Sequence, residues 1–179
     1  MKRMINGIVL GAALLAAQAG FAAVPASDTA MTRTERQVRK EILMLPNYNV
    51  FDTFSFSVDG NTVTLTGKVT RPALKADAEN AVRRIEGVAS VNNQIEVLPL
   101  SANDDRLRLS LYRAIYGHGM LEHLAIRAVP PIHLIVENGH VTLEGAVPTG
   151  AAKSVAELQA NSVSGVFSVT NKLLVDSET

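Results

Sequence analysis

Four histidines, His118, His123, His133 and His140, are the side chains of this sequence best suited to metal ligation or proton transfer. Their spacing supports neither, because none stands four residues from another on a helix, the separation that brings two imidazoles onto one metal ion. His133 falls on an outward position of an alternating segment and His140 follows a turn, so both are expected to face solvent. The sequence has no Cys, which excludes a thiol nucleophile, a thiolate ligand, a lipidation box and any disulfide. It also lacks a Gly-rich phosphate loop and a Gly-x-Ser-x-Gly elbow, and Gly117-His118-Gly119 is a helix stop. These residues argue against an enzyme and call for neither cofactor nor metal.

A different chemistry is open to Arg106, Leu109, Tyr112, Arg113 and Tyr116, which share one face of a helical pattern. An apolar and aromatic stripe edged by arginine suits an interface, since rings and aliphatic carbons leave water while guanidinium groups attract phosphate or carboxylate. Two readings of this face stand: a lipid- or partner-binding surface, or a face covered by the segment 117–131 or by the first module. Val155 and Leu158 on a later helix form a second candidate for a contact between modules or with a partner. The basic stripe Arg33, Arg36 and Lys40 reads as a solvated helix face.

The elements that carry these residues follow from a repeat. Val58 to Val97 recurs at Val136 to Val175 with a constant shift of 136 − 58 = 78 positions. Val63-Thr64-Leu65 returns as Val141-Thr142-Leu143, Gly67 as Gly145, Gly87-Val88 as Gly165-Val166, and Asn93 as Asn171. A repeat in fixed register is a small folding unit used twice. In the first copy, Thr32 to Glu35 forms a capping box, and Val38, Ile42 and Leu45 give the core stripe of a helix stopped by Pro46. Phe54, Phe56 and Val58 alternate with serines, Asp59-Gly60-Asn61 turns the chain, and Val63, Leu65 and Val69 return as a second strand. Gly67 marks a bulge or a close backbone approach, here by the packed helix. Pro72 opens the next helix, with Leu74, Ala78, Ala81, Val82 and Ile85 inward. A third strand spans Val88 to Val97, with Val91, Ile95 and Val97 inward. Asn93 and Asn171 read as structural amides satisfying backbone groups at a sheet end.

The expected fold class is α+β: two tandem small αββαβ modules, each a three-stranded sheet with two helices on one face. The boundaries are 32–99 and 104–177, joined by a linker at 100–103. The second copy opens at Ser101 and Asp104, carries Leu107, Leu111, Ala114 and Ile115 inward, and contains the insert 117–131, which has no counterpart of equal length in the first.

Residues 1–22 read as a secretory signal, with Lys2 and Arg3 before the apolar run Ile8 to Ala17. Cleavage is expected after Ala22, with Ala17-Gln18-Ala19 as the second choice, and a short polar linker follows at 23–31. Cleavage removes two cations, so 17 − 2 = 15 basic residues face 17 acidic ones. That balance does not suit nucleic acid. No membrane-spanning segment is expected after the signal, so the mature chain is expected to be exported and soluble, or held to a membrane only by its surface.

The order Asn-Gly turn, Val-Thr-Leu-x-Gly-x-Val strand, helix and closing Gly-Val-x-x-Val-x-Asn-x-x-x-Val resembles the BON family of bacterial envelope domains. The second copy carries it from Asn138 to Val147 and from Gly165 to Val175; the first from Gly60 to Val69 and from Gly87 to Val97, with the turn inverted to Gly60-Asn61. The resemblance implies a non-enzymatic domain exported to the periplasm and proposed to bind phospholipid surfaces, and two copies behind a signal look like the osmotically inducible periplasmic type. The implied partner is an anionic phospholipid surface or an envelope protein, in osmotic or envelope stress. A periplasmic chaperone or structural scaffold that binds client proteins is the alternative. Lipid binding should weaken with salt and need Arg106 and Arg113, whereas client binding should depend on apolar surface.

Overall fold

The computed structural model describes residues 31–176. The expected signal, and its linker up to residue 30, lie outside them. Module 1 comprises α1 (Arg33–Leu43), β1 (Thr53–Asp59), β2 (Thr62–Val69), α2 (Pro72–Arg83), β3 (Ser90–Asn93) and β4 (Glu96–Val97). Module 2 repeats the order as α3 (Ala102–Tyr116), a short 3-10 helix (Glu122–Ile126), β5 (Ile132–Glu137), β6 (His140–Val147), α4 (Gly150–Asn161), β7 (Ser168–Asn171) and β8 (Leu174–Val175). This is the α+β architecture expected.

In each sheet the second strand is central. β1 pairs antiparallel with β2 through Val58↔Val63 and Phe54↔Gly67, and β3 and β4 run parallel to β2 on its other side. β5, β6, β7 and β8 repeat this arrangement. The period of two directs Val63, Leu65 and Val69 to one face, where Val38 of α1 and Leu74, Ala78 and Val82 of α2 meet them in a buried cluster. Burying each large aliphatic side chain contributes about 1.5–3 kcal/mol. The second core adds Leu121 and Leu124 of the insert to α3, α4 and the sheet. The capping box forms as expected: the Thr32 hydroxyl accepts from the Glu35 amide at 3.2 Å, and Glu35 accepts from the Thr32 amide at 2.6 Å. Those bonds hold the Glu35 carboxyl below its ordinary pKa.

The third strand departs from expectation. Asn93 Oδ1 accepts from the Ile95 amide at 3.2 Å, while Nδ2 donates to the Lys75 carbonyl at 2.9 Å and to Glu79 at 3.1 Å. The amide therefore ties the sheet to α2, and its local turn breaks the strand in two. Phase shifts across the break, so Ile95 and Leu98 are buried while Val97 is exposed rather than inward. Asn171 makes the same three bonds with Lys153, Glu157 and Leu173. Both asparagines are structural.

The two conserved-register glycines are also explained, with a different neighbour from the helix first expected. A Cβ on Gly67 would lie 2.1 Å from the Thr53 carbonyl oxygen, and one on Gly145 would lie 1.9 Å from that of Pro131. The close approach comes from the chain entering the adjacent strand, and φ of +134° and +114° suits glycine alone.

Candidate lipid- or partner-binding surface

Four polar anchors orient α3. Ser101 caps it by accepting from the Asp104 amide at 3.2 Å. The buried Asp104 carboxylate then reaches across to the β5–β6 turn and accepts from the amides of Asn138 and Gly139, both at 2.9 Å. Arg108, also buried, donates to the Val136 carbonyl at 2.7 Å and pairs with Asp105 at 2.6 Å. At the far end the Tyr116 hydroxyl donates to the Ile132 carbonyl at 2.7 Å and accepts from the Ile132 amide at 2.9 Å. Burial raises the Tyr116 pKa above the ordinary phenol range, so the hydroxyl remains a donor.

With that rotation fixed, the expected stripe divides. Arg106, Leu109 and Arg113 are exposed, Leu109 at 51%. Tyr116 is a correction: it is 5% exposed and belongs to the core, because the insert and β5 close over its ring and satisfy its hydroxyl. Tyr112 lies between these extremes, half-buried, 5.0 Å from the Tyr116 ring and edge-on to Phe51 of module 1 at 6.5 Å. Both readings of the face thus hold for different residues. On α4, Val155 packs partly against the second core while Leu158 stays 66% exposed. That helix packs on α3, β6, β7 and β8 of its own module.

Beside Tyr112 lies a groove of about 440 Å³, lined by Val50, Phe51, Leu109, Tyr112, Ala125 and Pro130, with Arg127 at its edge. Ile126, 86% exposed, stands next to it. Apolar carbon edged by Arg127, beside a helix whose exposed face carries Arg106 and Arg113, can take up an acyl or aliphatic group while the guanidiniums meet an anion.

The modules meet where the Tyr48 to Thr53 segment crosses β5. Leu134 donates to the Val50 carbonyl at 2.7 Å, and His133 Nδ1 donates to the Asp52 carbonyl at 2.6 Å. The His133 ring stacks on Tyr48 at 5.7 Å and 12°. This corrects the expectation of a solvent-facing His133: its outward sheet position is covered by module 1, and burial pushes its pKa down. Thr53 also donates to Glu144 at 2.9 Å, and Lys68 to Glu137 at 2.5 Å. The hydrogen bond from Lys68 to Glu137 raises the lysine pKa.

Sequence reasoning missed the burial of Asp52, Asp104 and Arg108, which are buried charged residues among those described. Asp52 accepts from the Thr70 amide and hydroxyl at 2.7 and 2.8 Å. A carboxylate or guanidinium inside a small domain signals such a partner, but the partners of Asp104 stand 34 and 35 residues away.

His140 and Ser168 approach at 2.7 Å, an arrangement that could suggest a nucleophile and base. Thr62 and Ser90 form the same rung in module 1 at 2.9 Å, so the pair is a feature of the sheet register. His140 is exposed, as expected. Among the described residues, no group of three or more His, Asp or Glu could hold a metal ion, and no helix is long and apolar enough to cross a membrane.

Comparison with known families agrees with this geometry. The BON domain profile matches residues 32–99 and again 104–177. The chain belongs to the BON domain family. BON domains are non-catalytic binding modules that associate with phospholipids or envelope components and occur in periplasmic and envelope proteins. No curated protein matches the sequence. Among solved structures, the chain is similar to the C-terminal domain of CdsD, the structural protein of the type III secretion system of Chlamydia trachomatis. The identity is 13% and the TM-score 0.29, over 82% of this chain and 99% of that one. A second CdsD structure gives 14% identity and a TM-score of 0.28, over 79% and 91%.

Proposed function

We propose that this tandem BON protein is an exported, non-enzymatic envelope module that binds anionic phospholipid surfaces through α3 and the groove beside it. The observation carrying this reading is the fixed rotation of α3, which turns Arg106, Leu109 and Arg113 outward together while Asp104, Arg108 and Tyr116 hold the helix from behind. Leu109 and the groove supply modest apolar burial, and the arginines supply attraction to lipid phosphate.

Co-sedimentation of residues 23–179 with anionic and neutral vesicles tests it. Each arginine near an anionic surface contributes about 1 kcal/mol, so replacing Arg106 and Arg113 by Ala should weaken anionic binding roughly 30-fold. Raising salt from about 0.1 M to 1 M shortens the screening length from about 10 Å to 3 Å and should do much the same. Equal binding to both vesicle types, or binding indifferent to the double variant, would refute the proposal.

A chaperone or scaffold role is the second reading, and it has its own support. Leu158, Phe167 and Leu174 are 66%, 76% and 67% exposed, where module 1 has Asn80, Ala89 and Glu96 at the positions 78 residues earlier. Binding of unfolded clients that survives high salt and the arginine substitutions would favour it.

A further inference from the structure

The groove beside α3 is not made by module 2 alone. Leu109, Tyr112 and Ala125 come from module 2, but Val50 and Phe51, which also line it, come from module 1. Phe51 packs against the core cluster of module 2. The segment bearing it is a shaped turn: Asn49 Oδ1 accepts from the Phe51 amide at 2.8 Å, and the Asp52 amide donates to the Asn49 carbonyl at 3.2 Å. Two bonds join this turn to β5, one from the Leu134 amide and one from His133 Nδ1. The first is main chain and indifferent to side-chain identity. The second depends on an imidazole.

We infer that the α3 groove is a composite site, that the Tyr48–Asp52 turn of module 1 is the wall that completes it, and that His133 is the positioning residue that holds this wall. As a lipid site it rests on the function proposed above; as a structural coupling it does not. Because Nδ1 must donate to the Asp52 carbonyl, the neutral ring has its other nitrogen unprotonated. A second proton places a positive charge in a contact closed by the Tyr48 ring. The charged groups facing the imidazole are Glu144, its cross-strand partner on β6, and the carboxylate of Asp52. Both favour the cation, yet burial outweighs them and the pKa is lowered. The sign follows: a histidine harder to protonate when docked than when free contributes stability above its free pKa of about 6.5, and that contribution is lost as pH falls below it. Acid therefore loosens the turn, withdraws Phe51 from Tyr112 and opens the groove.

The chain has three tyrosines, Tyr48, Tyr112 and Tyr116, which makes the coupling readable without a lipid. With fluorotyrosine incorporated into residues 23–179, fluorine spectra between about pH 7.5 and pH 5 should show Tyr48 and Tyr112 shifting with one common midpoint. Tyr116, bonded to Ile132, should move least. His133→Gln, which gains no proton, should remove the common step. Phe51→Ala should shift Tyr112 at every pH, with Phe51→Tyr restoring its position. Binding to anionic vesicles along the same series should fall several-fold with acid in the wild type relative to His133→Gln, and roughly tenfold in Phe51→Ala, as for loss of an interface anchor. Separate midpoints for Tyr48 and Tyr112, or a step that persists in His133→Gln, would overturn the inference even if vesicles bind. A common step removed by His133→Gln, in a protein that binds no vesicle, would uphold the composite groove and reject the lipid reading alone.

Discussion

In module 1 the first helix is held by its capping box and by Val38 and Ile42, and the turn Gly60-Asn61 stands exposed. In module 2 the corresponding helix sends Asp104 into the turn Asn138-Gly139, adds Arg108 on the Val136 carbonyl, and locks its far end through Tyr116. The sheets are otherwise alike to the level of one side-chain amide, since Asn93 and Asn171 make the same bonds. What differs is how strictly the first helix is oriented and how much apolar surface is left outside. A duplicated unit can keep its backbone and change its work by altering a handful of outward residues and the anchors behind them.

The likeness can be broken most severely at the glycines. Gly67→Ala and Gly145→Ala each force a Cβ into a carbonyl oxygen at a positive φ, at a cost of about 4 kcal/mol or more. Each should unfold its own module, seen as collapse of that module's amide signals in NMR. A substitution at either site that leaves stability within 1 kcal/mol would show that the strand entry can move aside. Next in size is the difference between the anchors. Asp104→Ala leaves the buried Gly139 amide and the partly buried Asn138 amide without this acceptor, a loss of about 1–3 kcal/mol for the buried one and less for the other, so roughly 3 kcal/mol should be lost in urea unfolding. No residue of module 1 should show a comparable loss at its turn, and Asp59→Ala, exposed, should change stability by less than about 0.5 kcal/mol.

The repeat was legible because register is rigid: a hydrophobic period of two, a glycine under a neighbouring carbonyl and an amide at a sheet end can each be met by few residues. From them the elements, their order and the core aliphatics follow directly. The exposed face of α3 was less legible. Helical spacing places Tyr116 beside Leu109 and Tyr112, and only the insert with Leu121 and Leu124, which has no counterpart in the first copy, decides that Tyr116 is covered. His133 was misread for a related reason. Alternation along β5 does point it away from the module's own core, but alternation says nothing of a second module lying over that face. Asp52, Asp104 and Arg108 are resolved only by tertiary contacts, since a charge in a polar stretch of sequence looks the same whether water or an amide receives it.

The smallest expected effect on stability is also the sharpest probe of the comparison. Leu158, Phe167 and Leu174 are 66%, 76% and 67% exposed in module 2, where module 1 has Asn80, Ala89 and Glu96. Restoring the module 1 residues by Leu158→Asn, Phe167→Ala and Leu174→Glu removes little buried surface. Each should change unfolding free energy by less than about 0.5 kcal/mol, Phe167 somewhat more because its ring covers Gly139 and meets His140 at 6.0 Å. If exposed apolar surface serves client capture, the triple variant should lose protection of an aggregating client while binding anionic vesicles as before. If α3 and its groove do all the work, client protection should be absent in both proteins. A triple variant that loses vesicle binding instead would move the lipid contact away from the α3 groove to another part of module 2, because none of the three residues lines the groove.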